Sequence, residues 1–396
     1  MTEPKYQPIS FKDVLIEMKD ISELMVDLAY SAILFESKEI AQEVLNLEES
    51  MNELVYQARI QSILGARRVE EAEAMSGMLQ VAEASEKIAN SASEISKIIL
   101  KNVRFPAQLK AALPEAEEVT VYAEVGKDSE IDGRTLGKVK LQSTTGMRVI
   151  AIRRAVSWIY DPDRETRIHH GDVLIAKGDD TGSDCLYKLA DFVPTEHIIE
   201  DDAEIVTDLD RAVELLIEMK NVSELAVGLA YSSLLFSSRE VADEVIALDT
   251  KMDDMRYRLG IWILEAAKRV QNVELLRGLL YLTPFAESVS SAAGQIVDVI
   301  LREIEVPPLF REIVRESDEI ITKIVIKSGS ELVGTTLKEA SLGTVTGMVV
   351  LAIKNNDRWK YRPGKNEPLR AGDIIIAKGR RDGECRLYDL SSGSRR

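Results

Sequence analysis

The chain has 396 residues and a formal net charge of −17. At roughly 100–200 residues per domain, that length allows two to four domains with cores of their own. The acidic balance argues against a nucleic-acid partner, which would require a basic face. The two cysteines have no CxxC neighbour, and neither a signal segment nor an 18-residue apolar run occurs, so we expect a cytoplasmic protein.

The sequence repeats itself at a constant offset of 201 positions. The segment IEMKDISELMVDLAYSAILF begins at Ile16, and IEMKNVSELAVGLAYSSLLF begins at Ile217. The same offset joins TGMRVIAIRR at 145–154 to TGMVVLAIKN at 346–355. The two copies align without a gap, which indicates an internal duplication. Because two copies are too few for a solenoid, we expect a pseudo-dimer about an approximate two-fold axis.

Each copy begins with a helical pattern. In copy one, apolar residues recur at steps of three and four, which predicts two packed helices: Val14, Met18, Ile21, Met25, Leu28, Ala32 and Phe35, then Ile40, Val44, Leu47, Met51, Leu54 and Ala58. Ser10 is a suitable N-cap for the first helix, and Gly65 marks the end of the second. A third helix is predicted over about 68–101, with a seam of small residues at Ala82, Ala84, Ala89, Ala92 and Ser96.

Pro284 follows Thr283 in the third helix of copy two, where copy one has no proline. A proline inside a helix removes one backbone hydrogen bond, whereas a proline in the first turn is well tolerated. The sequence therefore predicts either a kinked helix or a helix that restarts with Thr283 as its cap.

The period changes from helical to strand-like after Pro106 and Pro114, and likewise after Pro307 in copy two. The segments VTVYAEV at 119–125, MRVIAIRR, SWIY and GDVLIAKG read as strands between glycine and proline turns. The fold class is therefore α+β, with two copies of a three-helix unit followed by a small β-rich domain. We place these four domains at 10–102, 117–193, 208–304 and 318–391.

The β-rich segments resemble the C-terminal domain of TrkA-type potassium-transport regulators, also called the RCK C-terminal domain. The resemblance covers nearly all of each segment: Gly133 and Leu136, 145–153, Trp158 and Tyr160, and 171–178, with their counterparts 201 positions later. The three-helix unit resembles one half of a PhoU-type phosphate-regulation protein through its helix pattern and a few acids. The tandem is similar to prokaryotic PhoU–TrkA-C fusion proteins.

The TrkA-C resemblance implies paired domains with a small ligand between them, against the segments 136–149 and 337–350. The implied ligand-binding residues are Leu136, Gln142, Met147, Arg148, Leu337 and Met348. The resemblance also implies a cyclic dinucleotide or other small nucleotide as the ligand, and Arg148 could pair with its phosphate. Val349 stands opposite Arg148 in copy two, so the walls would be asymmetric. Alternatively, Met147 and Met348 are core residues of strands.

The PhoU resemblance implies a divalent metal held by acids four residues apart on two helices. Asp249, Asp253 and Glu287 fit this pattern in copy two. The fourth acid is missing, because Ser291 stands where such a site would have Asp, and copy one is further eroded by Asn52 and Asn90. The alternative is an ordinary solvated acidic face.

These features predict a non-catalytic regulatory protein, since no nucleophile–base pair and no glycine-rich phosphate loop is visible. We expect it to sense a small ligand or ion and to modulate a membrane cation transport system, in the first place one for potassium. Its partners would be a transporter or channel subunit, the ligand, and itself as a pseudo-dimer or homodimer. The alternative is a PhoU-like metal-binding regulator of phosphate uptake.

Overall fold

A computed structural model describes residues 9–113, 118–155, 157–178, 182–194, 207–270, 272–304, 309–317, 319–356 and 358–392. The chain divides into two compact units. The helical unit combines Met1–Leu113 with Glu200–Ser317, and the sheet unit combines Pro114–Ile199 with Asp318–Arg396. Each unit thus takes one part from each copy of the repeat. The α+β fold class is confirmed, with the long helices in one unit and the two small antiparallel sheets, each with short helices, in the other.

The elements follow the same order in both copies, except that the short helix α5 of copy one has no counterpart among the helices of copy two. Copy one contains α1 (Phe11–Leu34), α2 (Lys38–Gly65), α3 (Val69–Leu100), α4 (Ala107–Ala112), β1 (Val119–Glu124), α5 (Leu136–Val139), α6 (Leu141–Thr145), β2 (Met147–Arg154), β3 (Ser157–Tyr160), β4 (Val173–Gly178) and α7 (Ser183–Ala190). Copy two contains α8 (Thr207–Phe236), α9 (Arg239–Ala267), α10 (Glu274–Leu301), α11 (Leu309–Glu316), β5 (Ile320–Val325), α12 (Leu342–Thr346), β6 (Met348–Asn355), β7 (Arg358–Tyr361), β8 (Ile374–Gly379) and α13 (Arg381–Ser392). Within the described ranges, each helix is too short or too polar to span a bilayer.

The helix boundaries predicted for copy one are confirmed. The Ser10 hydroxyl accepts a hydrogen bond from the Asp13 N–H at 3.1 Å and caps α1. Gly65 is the last residue of α2, and α3 covers the predicted span. Serine also caps the second helix of each copy, at Ser37 and Ser238.

The third helix of copy two continues through Pro284, so the alternative of a restart at Thr283 is wrong. Pro284 is exposed, and the carbonyl that loses its N–H partner lies on the same side of the helix. The Thr283 hydroxyl is not a cap but donates to the Leu279 carbonyl one turn earlier, at 2.9 Å.

The two three-helix halves form a six-helix assembly, as the duplication predicts. The central contact joins α3 to α10. The predicted small residues of α3 are buried. Ser91 donates to the Ser288 hydroxyl at 2.8 Å, and the Gln80 amide donates to the Gln295 carbonyl at 2.8 Å. In these contacts a higher residue number on α3 goes with a lower residue number on α10, so the two helices are antiparallel.

The short helices that follow each half pack on the first helix of the other half. Helix α4 of copy one contacts α8, and α11 of copy two contacts α1. Lys12 on α1 pairs with Glu316 on α11 at 2.9 Å. This reciprocal exchange links the halves beyond the α3–α10 contact.

A reciprocal pair of buried lysines also joins the halves. The Lys19 ammonium lies 5.5 Å from the ring centre of Tyr231, and the Lys220 ammonium lies 5.2 Å from the ring centre of Tyr30. Lys19 pairs with Glu23 at 2.9 Å and Lys220 with Glu224 at 2.8 Å, one helical turn away in both copies. The side chain of Lys19 is 1% exposed. A carboxylate and an aromatic face therefore replace the water that each ammonium loses on burial.

The sheet unit holds two four-stranded antiparallel sheets of identical topology, in the orders β1-β4-β2-β3 and β5-β8-β6-β7. The same irregularity in register occurs between Val149 and Ala151 and between Val350 and Ala352. Helix α7 packs on β1 and α13 packs on β5, which closes one apolar core over each sheet. The strands lie where the sequence predicts them.

We expect the substitution Lys19→Met to destabilise the helical unit by about 2–4 kcal/mol, because it leaves Glu23 without its buried partner. Lys251→Met is the matched control. Lys251 forms an exposed pair with Glu218 at 3.2 Å, and such pairs contribute about 0–1 kcal/mol. Urea unfolding followed by far-UV circular dichroism measures both changes. Equal effects of the two substitutions would show that the buried lysine is not structurally important.

Candidate ligand site between the two sheet domains

The two sheet domains meet through equivalent short helices, α6 and α12. We call residues 141–148 and 342–349 the seam. Each helix ends at a glycine with positive φ, +76° at Gly146 and +66° at Gly347, which turns the chain into the following strand. A Cβ at Gly146 would lie 3.0 Å from the Gly343 carbonyl oxygen, and a Cβ at Gly347 would lie 3.0 Å from Gln142 Cγ.

These two close approaches exchange under the 201-residue offset, since 142 corresponds to 343 and 146 to 347. Contacts that exchange in this way define an approximate two-fold interface. The predicted pairing of the β-rich domains is therefore confirmed, and it occurs within one chain.

Gln142 is a polar side chain that α6 brings to the seam. Its Nε2 lies 3.5 Å from the Gly347 carbonyl, at the limit of a hydrogen bond. Its Oε1 is buried and has no hydrogen-bond partner within the described ranges. An orphaned buried acceptor costs about 1–3 kcal/mol. A ligand that donates a hydrogen bond to this oxygen would remove that cost.

Arg148 already contacts carboxylates from both copies. It lies 2.9 Å from Asp161 and 3.5 Å from Glu319, and its side chain is 11% exposed. A phosphate at Arg148 would compete with these two carboxylates for the guanidinium. The predicted role of Arg148 in phosphate binding stays a prediction.

Glu319 is the charged centre of the contact between the two domains. It pairs with Lys378 of its own copy at 2.8 Å and with Arg148 of the other copy. Burial raises the pKa of this carboxyl, but Lys378, Arg148 and Lys177 together hold it well below its ordinary value. Its counterpart in copy one, Glu118, pairs with Lys177 at 3.2 Å.

Met147 and Met348 are core residues, as the alternative interpretation predicts. They are 0% and 1% exposed and belong to the apolar cores of the two domains. Neither methionine offers surface to a ligand in this structure. Leu136 and Leu337 are partly buried against the same two cores. Of the six predicted ligand-binding residues, the structure thus brings polar groups of Gln142 and Arg148 to the contact between the domains.

The predicted metal ligands in the helical unit are not brought together as a set. Glu287 pairs with Arg256 at 3.2 Å, and Asp249 lies near the backbone of Gly294. Among the described residues, no group of three or more His, Cys, Asp or Glu side chains could hold a metal. A polar cleft of about 390 Å³ does lie between α3 and α10, lined by Glu83, Glu86, Lys87, Asn90, Ser91, Glu94 and Ser288. Metal binding by Asp249, Asp253 and Glu287 stays a prediction.

The ion pairs around the contact between the two sheet domains were not predicted from the sequence. Glu118 and Glu319, and likewise Lys177 and Lys378, are identical at the 201-residue offset. That identity is a usable signal, because polar residues kept in both copies are good candidates for the interface that the copies share. A search for ligand chemistry alone overlooks such identical charges.

Comparison with known proteins gives two family matches. The model of the TrkA-C domain matches residues 120–190 and 321–391, and the model of the PhoU domain matches residues 15–99. Several solved structures are also similar to this chain in part. PhoU from Pseudomonas aeruginosa is 11% identical, with a TM-score of 0.40, and the match covers 74% of this chain and 96% of that one. The RCK_C domain dimer of S. agalactiae BusR in complex with c-di-AMP is 23% identical, with a TM-score of 0.18, over 18% of this chain and 90% of that one. The RCK domain of GsuK is 13% identical, with a TM-score of 0.19, over 70% of this chain and 64% of that one.

Gly146→Ala tests how tightly the seam is packed. Alanine at positive φ costs about 1–2 kcal/mol wherever it occurs. At Gly146 the added methyl would also press on the backbone of residues 343 and 344, which we expect to cost at least about 1 kcal/mol more. Gly133→Ala is the matched control, because Gly133 has φ +72° and no atom within 4 Å of the added Cβ. Equal losses of unfolding free energy in urea would contradict a close seam.

Glu319→Gln tests the charge cluster. A carboxyl with a lowered folded-state pKa contributes stability that is fully present above its unfolded pKa and is lost as the pH falls through the folded pKa. We therefore expect Glu319→Gln to lower the thermal midpoint of the sheet unit at pH 7 and to reduce the loss of stability from pH 5 downward. Thermal unfolding at a series of pH values measures this. An unchanged pH dependence would mean that Glu319 is not held by the three cations.

Proposed function

Because the chain is an internally duplicated fusion of PhoU and TrkA-C domains, we propose that it is a non-catalytic regulatory protein. It binds a small ligand or ion between its paired TrkA-C domains and thereby modulates a membrane cation transport system, in the first place one for potassium. It acts in the cytoplasm, on a transporter or channel subunit. The supporting observation is the intramolecular seam with the orphaned acceptor of Gln142.

The pairing explains how a ligand at this place could act as a signal. A ligand shifts a conformational equilibrium only by its difference in affinity for the two states. A ligand held between α6 and α12 touches both domains, so its affinity depends on how they are arranged. The ion pair between Arg148 and Glu319 also joins the two copies, and its free energy depends on the same arrangement.

The duplication makes both pairings independent of protein concentration. In a homodimer the ligand would have to compete with dissociation, whereas here the paired domains belong to one polypeptide and the effective concentration is set by the chain. The expectation that nucleic acid is not a partner stays a prediction. The alternative function, metal-dependent regulation of phosphate uptake, also stays a prediction and has no three-ligand cluster in its favour within the described ranges.

A ligand screen on the full chain tests the proposal. Thermal unfolding is measured with cyclic di-AMP, AMP, ATP, NAD, potassium and divalent metals. A ligand present at 100 times its Kd stabilises the folded state by about 2.7 kcal/mol. We expect at least one compound to raise the midpoint of the wild-type chain, and Gln142→Ala to abolish that rise.

Gln42→Ala serves as the matched control for this screen, since Gln42 is exposed on α2 and contacts Asn46 at 3.4 Å. The rise should persist in that variant. Rubidium uptake by cells that produce either variant then measures the effect on transport. The proposal is contradicted if no compound shifts the midpoint, or if Gln142→Ala leaves both the shift and the uptake unchanged.

A further inference from the structure

The two sheet domains share a fold but differ in charge. Residues 120–190 contain 11 Lys or Arg and 11 Asp or Glu, which gives a formal net charge of zero. Residues 321–391 contain 13 Lys or Arg and 8 Asp or Glu, which gives +5 in a chain whose net charge is −17. Because copy one has the same fold without this surplus, the surplus in copy two indicates an anionic partner.

Much of the surplus lies on the β6–β7 hairpin and the turn after it. We define the cationic hairpin as the basic residues Lys354, Arg358, Lys360, Arg362 and Lys365. The equivalent positions of copy one hold Arg153, Ser157, Ile159, Asp161 and Arg164. The cations at 358, 360 and 362 are therefore specific to copy two. Strand β7 is at the edge of its sheet, and Arg358, Lys360 and Lys365 are exposed.

Aromatic and apolar side chains lie beside these cations on the face of the sheet opposite to the apolar core. Trp359 and Tyr361 stack there with ring centres 6.0 Å apart, and the Lys354 ammonium lies 5.5 Å from the Trp359 ring centre. The strand register places Val325, Ile374, Lys354 and Trp359 in one row across all four strands. Val325 is 51% exposed, and copy one has Glu124 in its place.

This combination fits the boundary between water and a lipid bilayer. Trp and Tyr have an apolar ring with a polar tip and are enriched at that boundary, and Lys and Arg beside them are attracted to anionic headgroups. A single-stranded nucleic acid would instead stack its bases on the ring faces. The ring of Trp359 already contacts Tyr361 and Lys354, so a base would compete with these contacts.

We propose that the second sheet domain binds the surface of an anionic lipid bilayer through the cationic hairpin and the row that contains Val325 and Trp359. The charge distribution would also orient the protein. The domain of +5 is attracted to the anionic surface, whereas the rest of the chain, with a net charge of −22, is repelled. This contact does not require a ligand between the two sheet domains, so it can be measured without one.

Sedimentation of the full chain with phospholipid vesicles tests the inference. We expect the chain to bind vesicles made from equal amounts of phosphatidylglycerol and phosphatidylcholine, and to bind pure phosphatidylcholine at least about tenfold more weakly. Binding to the anionic vesicles should fall as potassium chloride is raised from about 0.05 to about 0.5 M, because salt screens the attraction.

The double substitution Arg358→Ser with Arg362→Asp introduces the residues that copy one has at these positions. It removes two cations and adds one anion, which should weaken binding to the anionic vesicles at least about tenfold. Arg239→Ser with Arg277→Asp is the matched control. It changes the net charge equally, at two exposed ion pairs of the helical unit, and should leave binding nearly unchanged. Circular dichroism spectra that match the wild type confirm that both variants are folded.

Tryptophan fluorescence locates the contact. The chain has three tryptophans, so Trp158→Phe with Trp262→Phe retains Trp359, and Trp262→Phe with Trp359→Phe retains Trp158 as the equivalent residue of copy one. We expect anionic vesicles to shift the emission of Trp359 to shorter wavelength, and brominated lipid to quench it. The emission of Trp158 should change little.

Equal binding to neutral and anionic vesicles, an equal loss in both double variants, or equal quenching of Trp158 and Trp359 would overturn the inference. A single-stranded oligonucleotide or a polyglutamate peptide that binds where vesicles do not, and is lost with Arg358→Ser and Arg362→Asp, would assign this surface to a nucleic acid or an acidic protein instead. Absence of any vesicle binding also contradicts the inference.

Discussion

The helical unit depends on two buried lysine charges, one in each copy. Lys19 and Lys220 lie between the two halves of the bundle, and each is held by a carboxylate of its own helix and a tyrosine ring of the other copy. The carboxylate comes from the same half as the lysine and the ring from the other half, so each lysine has both only when the halves are paired. A buried ammonium without compensation is costly, so this arrangement penalises any separation or slippage of the halves. Hydrogen bonds between α3 and α10, such as the one from Ser91 to the Ser288 hydroxyl, also join the two halves.

In the sheet unit, close backbone packing joins the two copies. Its two domains approach through glycine backbones at Gly146 and Gly347, where side chains would not fit. Small apolar cores of this size leave little free energy to spare, and the pairing adds contact area that a single domain lacks. The ion pair between Arg148 and Glu319 then links the copies on one side of the axis. The backbones of the two domains thus approach each other closely, whereas the charged residues differ between the two sides of the axis.

Duplication within one chain allows that asymmetry. In a homodimer a change at position 142 would appear on both sides of the axis, whereas here Gln142 and Gly343 vary independently. One copy can therefore carry an amide side chain at this position while the other carries none. The same independence explains why the acids of copy two lack full counterparts in copy one, and why Pro284 occurs in only one third helix.

The sequence by itself determined the architecture. The gapless offset predicted a pseudo-dimer, and the apolar periods predicted the helices and strands. Serine marked the N-cap of α1 at Ser10, and glycine marked the end of α2 at Gly65. These features follow from local rules that act within a few residues. Only the tertiary structure decided the features that long-range packing controls. Met147 and Met348 are buried, Arg148 pairs with Glu319 of the other copy, and Lys19 lies over a ring of the other half. Such contacts join residues about 170 to 210 positions apart, and their geometry depends on how whole helices and sheets pack, which no local pattern encodes.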